Sequence, residues 1–351
     1  MIPKKFNKVL RYGYSNTRVK AMKSKMLSKE IIDEIAQLNN ISQAVALLFK
    51  TDYKDNIEMF GGADIETSLI DFALNQNLSD TADRLIRITP TNAKAIISSI
   101  VSKWDMYNIK LIIYAKTSNK KYEDIKEFII KSKNISDIII KDSLSQNSFY
   151  DTTNELSLKT PYKKLMIMIN EIYKKTGNID DTQDIIDKYF FTEFSKIVPL
   201  LGRESKESAK IISFDIEIRN VLMLIRAKIY NLDESKLKEL LIPNSTTSIS
   251  KLITIYSESK NLKELTERIE SFNLTEVYNK YEKPSLLDFE IEMKKTFFRK
   301  INSLMTRSVL SIGAIIGFYY LKEREILILR TLIKSKNYNL KSNEIKEMIE
   351  W

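Results

Sequence analysis

The chain has 351 residues, 43% of them apolar, and 56 Lys and Arg against 46 Asp and Glu, for a formal charge of +10; that apolar share supports a packed core and excludes wholesale disorder. It contains neither cysteine nor histidine, which excludes disulfides, Cys/His zinc sites, thiol nucleophiles and every triad that uses imidazole as its base. Only 7 Gly and 6 Pro occur where average usage gives about 25 and about 18, so an all-α fold of long helices joined by short polar loops is expected.

In chain order, Met1-Ile-Pro-Lys-Lys-Phe6 carries charge with no apolar stretch behind it, which predicts no signal peptide. Asn16-Thr-Arg-Val-Lys-Ala-Met22 and Ile32-Asp-Glu-Ile-Ala36 are faint first copies of two elements that return later. Gly61-Gly62 is the only glycine pair, and no phosphate-cradling pattern follows it, so a turn is expected. The first clear copy of one element is Asn108-Ile-Lys-Leu-Ile-Ile-Tyr-Ala-Lys116, followed by Ile125-Lys-Glu-Phe-Ile-Ile130. Both return as Asn220-Val-Leu-Met-Leu-Ile-Arg-Ala-Lys228 and Leu237-Lys-Glu-Leu-Leu-Ile242, so the gap of 17 from Asn to the second element is kept. Glu325-Ile-Leu-Ile-Leu-Arg330 and Ile345-Lys-Glu-Met-Ile349 follow as a last copy with a gap of 20.

Apolar residues at i, i+3 and i+4 put the Ile125, Leu237 and Ile345 elements on one helical stripe. A third element, Leu69-Ile-Asp-Phe72, Ile185-Ile-Asp-Lys-Tyr189 and Leu286-Leu-Asp-Phe289, precedes the Asn element each time. Its Asp71, Asp187 and Asp288 are expected to cap or tether the same local helix. Elements that keep step over about 100 residues predict an internal repeat. The corresponding subdomains are 1–118, 119–228 and 229–351, with half-units at either end packing together. Leu262, Leu265, Ile269 and Phe272 form a one-sided helical stripe, and Asp184 is expected near a helix start, ahead of Lys188-Tyr-Phe-Phe191.

Ser308 to Leu321 is the longest uncharged apolar run, at 14 residues, short of the roughly 20 that span a bilayer. Its Gly313-xxx-Gly317 spacing predicts close helix packing within a buried core helix. Asp180-Asp181 and Glu323/Glu325 are expected as surface ion pairs and caps. Trp104-Asp105, at the start of the repeated apolar helix, is expected in the core. Neither catalytic, cofactor-binding nor metal-ligating residues are predicted. Lysine pairs stay short and the aromatics fall on apolar stripes, so no nucleic-acid partner is expected. An open helical-repeat scaffold and a basic nucleic-acid-binding protein stand as the rival readings, the latter marked by strongly salt-dependent binding.

Ser102-Lys-Trp-Asp-Met-Tyr-Asn108 resembles a motif of the C subunit of archaeal-type (A-type) ATP synthases, a family related to the d subunit of V-type ATPases. Tyr12-Gly-Tyr-Ser-Asn16-Thr-Arg18 and Thr51-Asp-Tyr53 resemble that family's opening, and Tyr319-Tyr-Leu-Lys-Glu-Arg-Glu325 through Arg330 its closing run. Tyr114 departs from a common Arg, and Asp215 from its usual spacing to Asn220. The resemblance implies three similar helical subdomains about a pseudo-threefold axis, funnel-shaped. It implies a non-catalytic central-stalk subunit that transmits torque between a proteolipid rotor ring and the central axle subunits. It would stand peripherally on the cytoplasmic face of the membrane, held through the ring and not by lipid, with no small-molecule substrate and no cofactor. The motif positions that would serve structure or partner contact are Tyr14, Asn16, Arg18, Trp104, Asp105, Asn108, Asn220, Arg226, Glu323, Glu325 and Arg330.

The purified protein is therefore expected to hydrolyse no nucleotide. Turnover that survives rigorous purification and vanishes when one acidic residue of this chain is changed would contradict that.

Overall fold

Scarce glycine and proline leave the helix as the default backbone, and every regular element among the described residues is helical. The computed structural model describes residues 4–38, 40–62, 67–243, 246–281, 283–308 and 310–337. The chain divides into two compact units, one of Met1–Asn16, Phe191–Leu321 and Glu347–Trp351, the other of Thr17–Phe190 and Lys322–Lys346. In chain order the helices are α1 Lys4–Lys23, α2 Lys29–Gln37, α3 Ile41–Leu48, α4 Lys54–Met59, α5 Thr67–Ile88, α6 Lys94–Val101, α7 Lys103–Thr117, α8 Tyr122–Ile125, α9 Asp137–Ser145 and α10 Phe149–Lys159. They continue as α11 Lys163–Thr176, α12 Ile179–Ser195, α13 Val198–Glu204, α14 Lys206–Ile229, α15 Glu234–Leu240, α16 Ile249–Glu258, α17 Leu262–Arg268, α18 Leu274–Lys280, α19 Leu286–Arg307 and α20 Ile312–Asn337.

Helix starts follow local chemistry. Ser136, Ser148, Ser205 and Ser248 each accept a hydrogen bond from a backbone N–H three residues on, satisfying a donor that the first turn leaves without a partner. Ser285 and Asp288 do so reciprocally in a capping box at the start of α19. Helix ends are as regular. Asn119 and Asn231 take left-handed φ values of 53° and 51°, and the next N–H donates back to Ala115 O (2.8 Å) and Ala227 O (2.9 Å). Asparagine tolerates that conformation, and the paired turns end α7 and α14 identically.

In the larger unit, α7 lies in the core with Ile109, Ile112, Ile113 and Ala115 fully buried. In the other unit, α14 is buried along most of its length and packs on α19. Phe214 there meets Phe272 at 4.8 Å between ring centroids, and Phe297 meets Tyr320 at 5.1 Å. The apolar run expected to be a core helix opens α20, where Ile312, Ile315 and Ile316 are wholly buried. Among the described residues no helix is long and apolar enough to cross a membrane.

Three local expectations need correction. The Ile125 and Leu237 elements are not continuous helices: α8 passes through a 3-10 turn and leaves Ile129 extended, and α15 stops before an extended Leu241. Asp184 lies inside α12, whose first turn holds Asp180 and Asp181 instead. The 262–272 stripe is helical only to Arg268, although Ile269 and Phe272 stay buried. The Ile345 element lies outside the described residues.

Gly313 and Gly317 explain the close approach at the start of α20. A Cβ at Gly313 would stand 2.7 Å from Ser308 Cβ and 2.9 Å from Ser208 Oγ. At Gly317 its close contact would be the flexible thioether of Met305, at 2.5 Å, with Ile301 Cγ2 at an ordinary 3.9 Å. Gly313→Ala is therefore expected to destabilise the protein by about 1–3 kcal/mol, the usual range for overpacking, and Gly317→Ala by less. Equal urea midpoints for the two variants would contradict this packing.

Candidate functional site

The repeated elements converge on three core helices. The pattern of buried, half-buried and exposed residues over 103–116 of α7 is the same, residue for residue, over 323–336 of α20. It recurs over 215–228 of α14 with one difference, at Ile216. Chance does not align 14 consecutive environments once and all but one of them a second time, so these are equivalent positions in three copies of one motif.

The first shared feature is a buried acid. Asp105, Glu217 and Glu325 stand at equivalent positions and are 1%, 9% and 4% exposed. Asp105 accepts from Asn134 Nδ2 at 2.7 Å and from the hydroxyl of Tyr162. Glu217 accepts from Ser271 Oγ at 2.5 Å. Glu325 accepts from the Leu27 N–H and the Tyr53 hydroxyl, both at 2.6 Å, and from Lys322 Nζ at 2.7 Å. Lys322 also donates to the Tyr53 oxygen at 2.9 Å. A buried charge is tolerated only when partners replace its water, and each acid is met that way.

The second is an amide strap. Asn108 donates to Ile130 O and accepts from Ile130 N–H at 2.6 and 3.1 Å. Asn220 makes the same pair with Ile242, at 2.8 and 2.9 Å. A side-chain amide can claim both groups of one residue only where helix bonding has released them, which is why both apolar elements turn extended there. The third copy has Ile328 at this place.

The third is a lysine that closes a neighbouring helix. Lys116 donates to Gln146 O, just past the end of α9. Lys228 donates to Ser259 O at 2.7 Å, just past α16, and to Tyr256 O at 2.9 Å. Lys336 donates to Leu38 O, just past α2. A cation there meets carbonyls that the helix leaves without donors, at the negative end of its dipole. Burial pulls Lys228 and Lys336 below the ordinary lysine value.

Of the residues expected to matter, Asn16 is buried and donates to Tyr12 O (2.9 Å) and Ser311 O (3.4 Å), while Tyr14 and Arg18 are exposed. Trp104 is half-buried with its ring edge-on to Tyr107 at 6.2 Å, so it is not the core residue expected. Glu323 pairs with Lys103. Arg330 reaches Asp71 at 3.5 Å and Lys334 reaches it at 3.4 Å, while Lys110 reaches Asp187 at 2.6 Å. Two of the three recurring aspartates thus tether a core helix, and Asp288 caps α19. Arg226 is exposed on α14. Glu325 is not a surface carboxylate, nor the counterpart of Asn108: it stands with Asp105, one turn earlier. Sequence reasoning missed Glu217 and the role of the lysines, and it met Tyr53 and Lys322 only as parts of the resembling opening and closing runs. Lys116 and Lys228 closed the repeated element, and the 108-residue step from Leu237 to Ile345 leads from Lys228 to Lys336.

A cleft of about 510 Å³ opens between α14 and α19. Lys210 at its edge pairs with Glu207 at 3.2 Å, and Lys300 covers the Phe214 ring at 3.9 Å. Among the described residues no cluster of three or more acidic side chains is placed to hold a metal ion.

Known proteins resemble this chain over nearly its whole length. Residues 15–348 match the family model described as ATP synthase (C/AC39) subunit. A protein of Methanocaldococcus jannaschii, named as the C subunit of an A-type ATP synthase, is 25% identical, over 96% of this chain and 86% of its own length. Proteins of the same name are 26% identical in Methanosarcina barkeri (99% of this chain, 94% of theirs) and 23% in Pyrococcus abyssi (96% and 90%).

Burial, and then the facing acid, raise the hydroxyl pKa of Tyr53 and Tyr162 above the ordinary value of 10. The stabilisation they supply is full below pH 10 and is lost as pH rises past it, because the unfolded chain releases those protons first. A Tyr53→Phe/Tyr162→Phe variant is expected to be less stable than the parent at pH 8, by about 1 kcal/mol per lost bond. Near pH 11 that gap should narrow. Urea midpoints that differ equally at both pH values would contradict it.

Proposed function

The chain belongs to the ATP synthase (C/AC39) subunit family, and from that premise we propose that it is a non-catalytic part of the central stalk, joining a proteolipid rotor ring to the central axle. The observation that carries this reading is the core motif on α7, α14 and α20, each copy with a buried acid and a lysine bolted to a helix end. A part that passes torque must resist deformation, and long helices tied by directional bonds to their neighbours are stiff in that sense. A catalytic subunit would instead need a nucleotide-holding loop, and the only glycine pair of this chain is a turn.

The sequence repeat supports three modules, near 1–118, 119–228 and 229–351. The motif's bonds tie the last core helix of each to the segment that follows it: Asn108 holds Ile130, Asn220 holds Ile242, and α20 returns to the chain's other end, where Glu325 holds Leu27 and Lys336 holds Leu38. Its place is peripheral, on the cytoplasmic face, with the ring as its anchor.

Sedimentation tests this directly. The purified protein is expected to pellet with membranes that contain the proteolipid ring and to remain in solution with protein-free anionic liposomes. Equal binding to both would defeat the proposal.

A further inference from the structure

The three equivalent acids are not equally served. Asp105 accepts three hydrogen bonds, from the Asn134 N–H, Asn134 Nδ2 and the Tyr162 hydroxyl. Glu325 also accepts three, from the Leu27 N–H, the Tyr53 hydroxyl and Lys322. Glu217 accepts one, from Ser271 Oγ at 2.5 Å, and its second oxygen meets no donor among the described residues. The residue is only 9% exposed, and a buried carboxylate with a single neutral donor lacks most of what should replace its water. Glu217 and Ser271 both line the cleft of about 510 Å³ between α14 and α19, which lies wholly within one compact unit.

The cleft keeps its opposite charges apart. Phe214, one turn before Glu217 on α14, carries the exposed Lys300 ammonium over its ring, 3.9 Å from the centroid. Three residues at 1.5 Å rise are about 4.5 Å, so an underserved anion and an exposed cation stand about one turn apart along α14. Lys300, Ser303 and Arg307 recur at i, i+3 and i+7 of α19, which puts them on one face, and all three line the cleft. Neither Lys300 nor Arg307 pairs with an acid among the described residues. Glu207, the other acid of the lining, is taken by Lys210 at 3.2 Å. Ile211, Phe214 and Leu304 are buried and give the cleft an apolar wall.

We propose that this cleft binds a free α-amino acid with an apolar side chain, its ammonium on Glu217 and its carboxylate on Lys300 and Arg307. An ammonium brings charge-assisted donors to the oxygen that has none. A carboxylate matches the planar fork of a guanidinium that no acid of the chain occupies. The short span from Glu217 to Lys300 selects a molecule whose own opposite charges are close, and an α-amino acid carries both on one carbon. The apolar wall selects an aliphatic or aromatic side chain. The volume falls within the roughly 300–1,000 Å³ usual for small-molecule sites. The site is independent of the coupling role, since nothing in it requires ring or axle.

The test is calorimetric titration of the full chain with L-leucine and L-phenylalanine. Beside them run N-acetyl-L-leucine, which lacks the ammonium, and isoamylamine, which lacks the carboxylate. Saturable one-to-one binding of an amino acid is expected, with both analogues weaker by about tenfold or more, the worth of one charge-assisted bond. Glu217→Gln, which keeps an acceptor for Ser271, and Lys300→Met/Arg307→Met, at exposed positions, are each expected to weaken binding by the same factor. Lys174→Met/Lys175→Met, on the exposed end of α11, is expected to leave it unchanged, and melting curves establish that every variant folds. Should Glu217→Gln fail to fold, the α19 pair decides alone. A parent that binds neither amino acid at millimolar concentration would overturn the proposal. So would analogues that bind as the amino acids do, or binding that the folded cleft variants leave intact.

Discussion

A carboxylate leaves water only where donors are waiting for it, and each of the three core helices buries one. Much of the surrounding architecture supplies those donors. Asn134 and Tyr162 come to Asp105, Ser271 to Glu217, and Leu27 with Tyr53 to Glu325. Apart from Lys322, three residues before Glu325, every donor belongs to a segment distant in sequence from its acid, so satisfying the charge fixes which segment lies against which helix. Apolar contact alone would leave that choice loose, because one Ile-rich face packs about as well on another. The acid adds little net stability, but it makes wrong pairings costly.

The remaining motif positions do the same for backbone groups. Asn108 and Asn220 hold one residue of a strap at both its N–H and its C=O, and the lysines end α9, α16 and α2 with a donor those helices lack. The three devices occupy one helix face in the order acid, amide, lysine. The third copy keeps the acid and the lysine and replaces the amide by Ile328. There Glu325 takes over the backbone duty through the Leu27 N–H. The substitution works because positions three residues apart share a helix face.

That same property explains what could be seen in the residues and what could not. The all-α class followed from the poverty of glycine and proline, and the 112-residue step from Asn108 to Asn220 marks real structural equivalence. Glu325 was matched to Asn108 one turn out of register, because a shift of one turn keeps every apolar residue on its stripe. The straps are not legible locally, because Ile125-Lys-Glu-Phe-Ile-Ile130 has helical spacing. What unwinds it is Asn108, 22 residues away, and local spacing carries no trace of a tertiary amide. Asp184 misled for a related reason: two acids at 180 and 181 had already begun the helix. The burial of Glu325 was hidden by its neighbours, since Lys322, Glu323 and Arg324 suggest a solvated surface until the fold places Tyr53 over Lys322, 4.1 Å from the ring centroid.

The choice of lysine for the helix-end clamp has a mechanical sense. A lysine paired with an exposed carboxylate is screened by salt and contributes little. A lysine donating to the carbonyls at a helix end is shielded by the packing around it and is directed by the position of those oxygens. Lys228 shows the arrangement in full. Its ammonium meets two carbonyls at 2.7 and 2.9 Å and lies 4.0 Å from the centroid of the Tyr256 ring. That ring's hydroxyl in turn closes the end of α14 at Leu232 O. Rotating α16 against α14 would break all of these contacts together, since they share two side chains. On the proposed torque-passing role, a load on one helix would pass to its neighbour through these bonds at the helix ends.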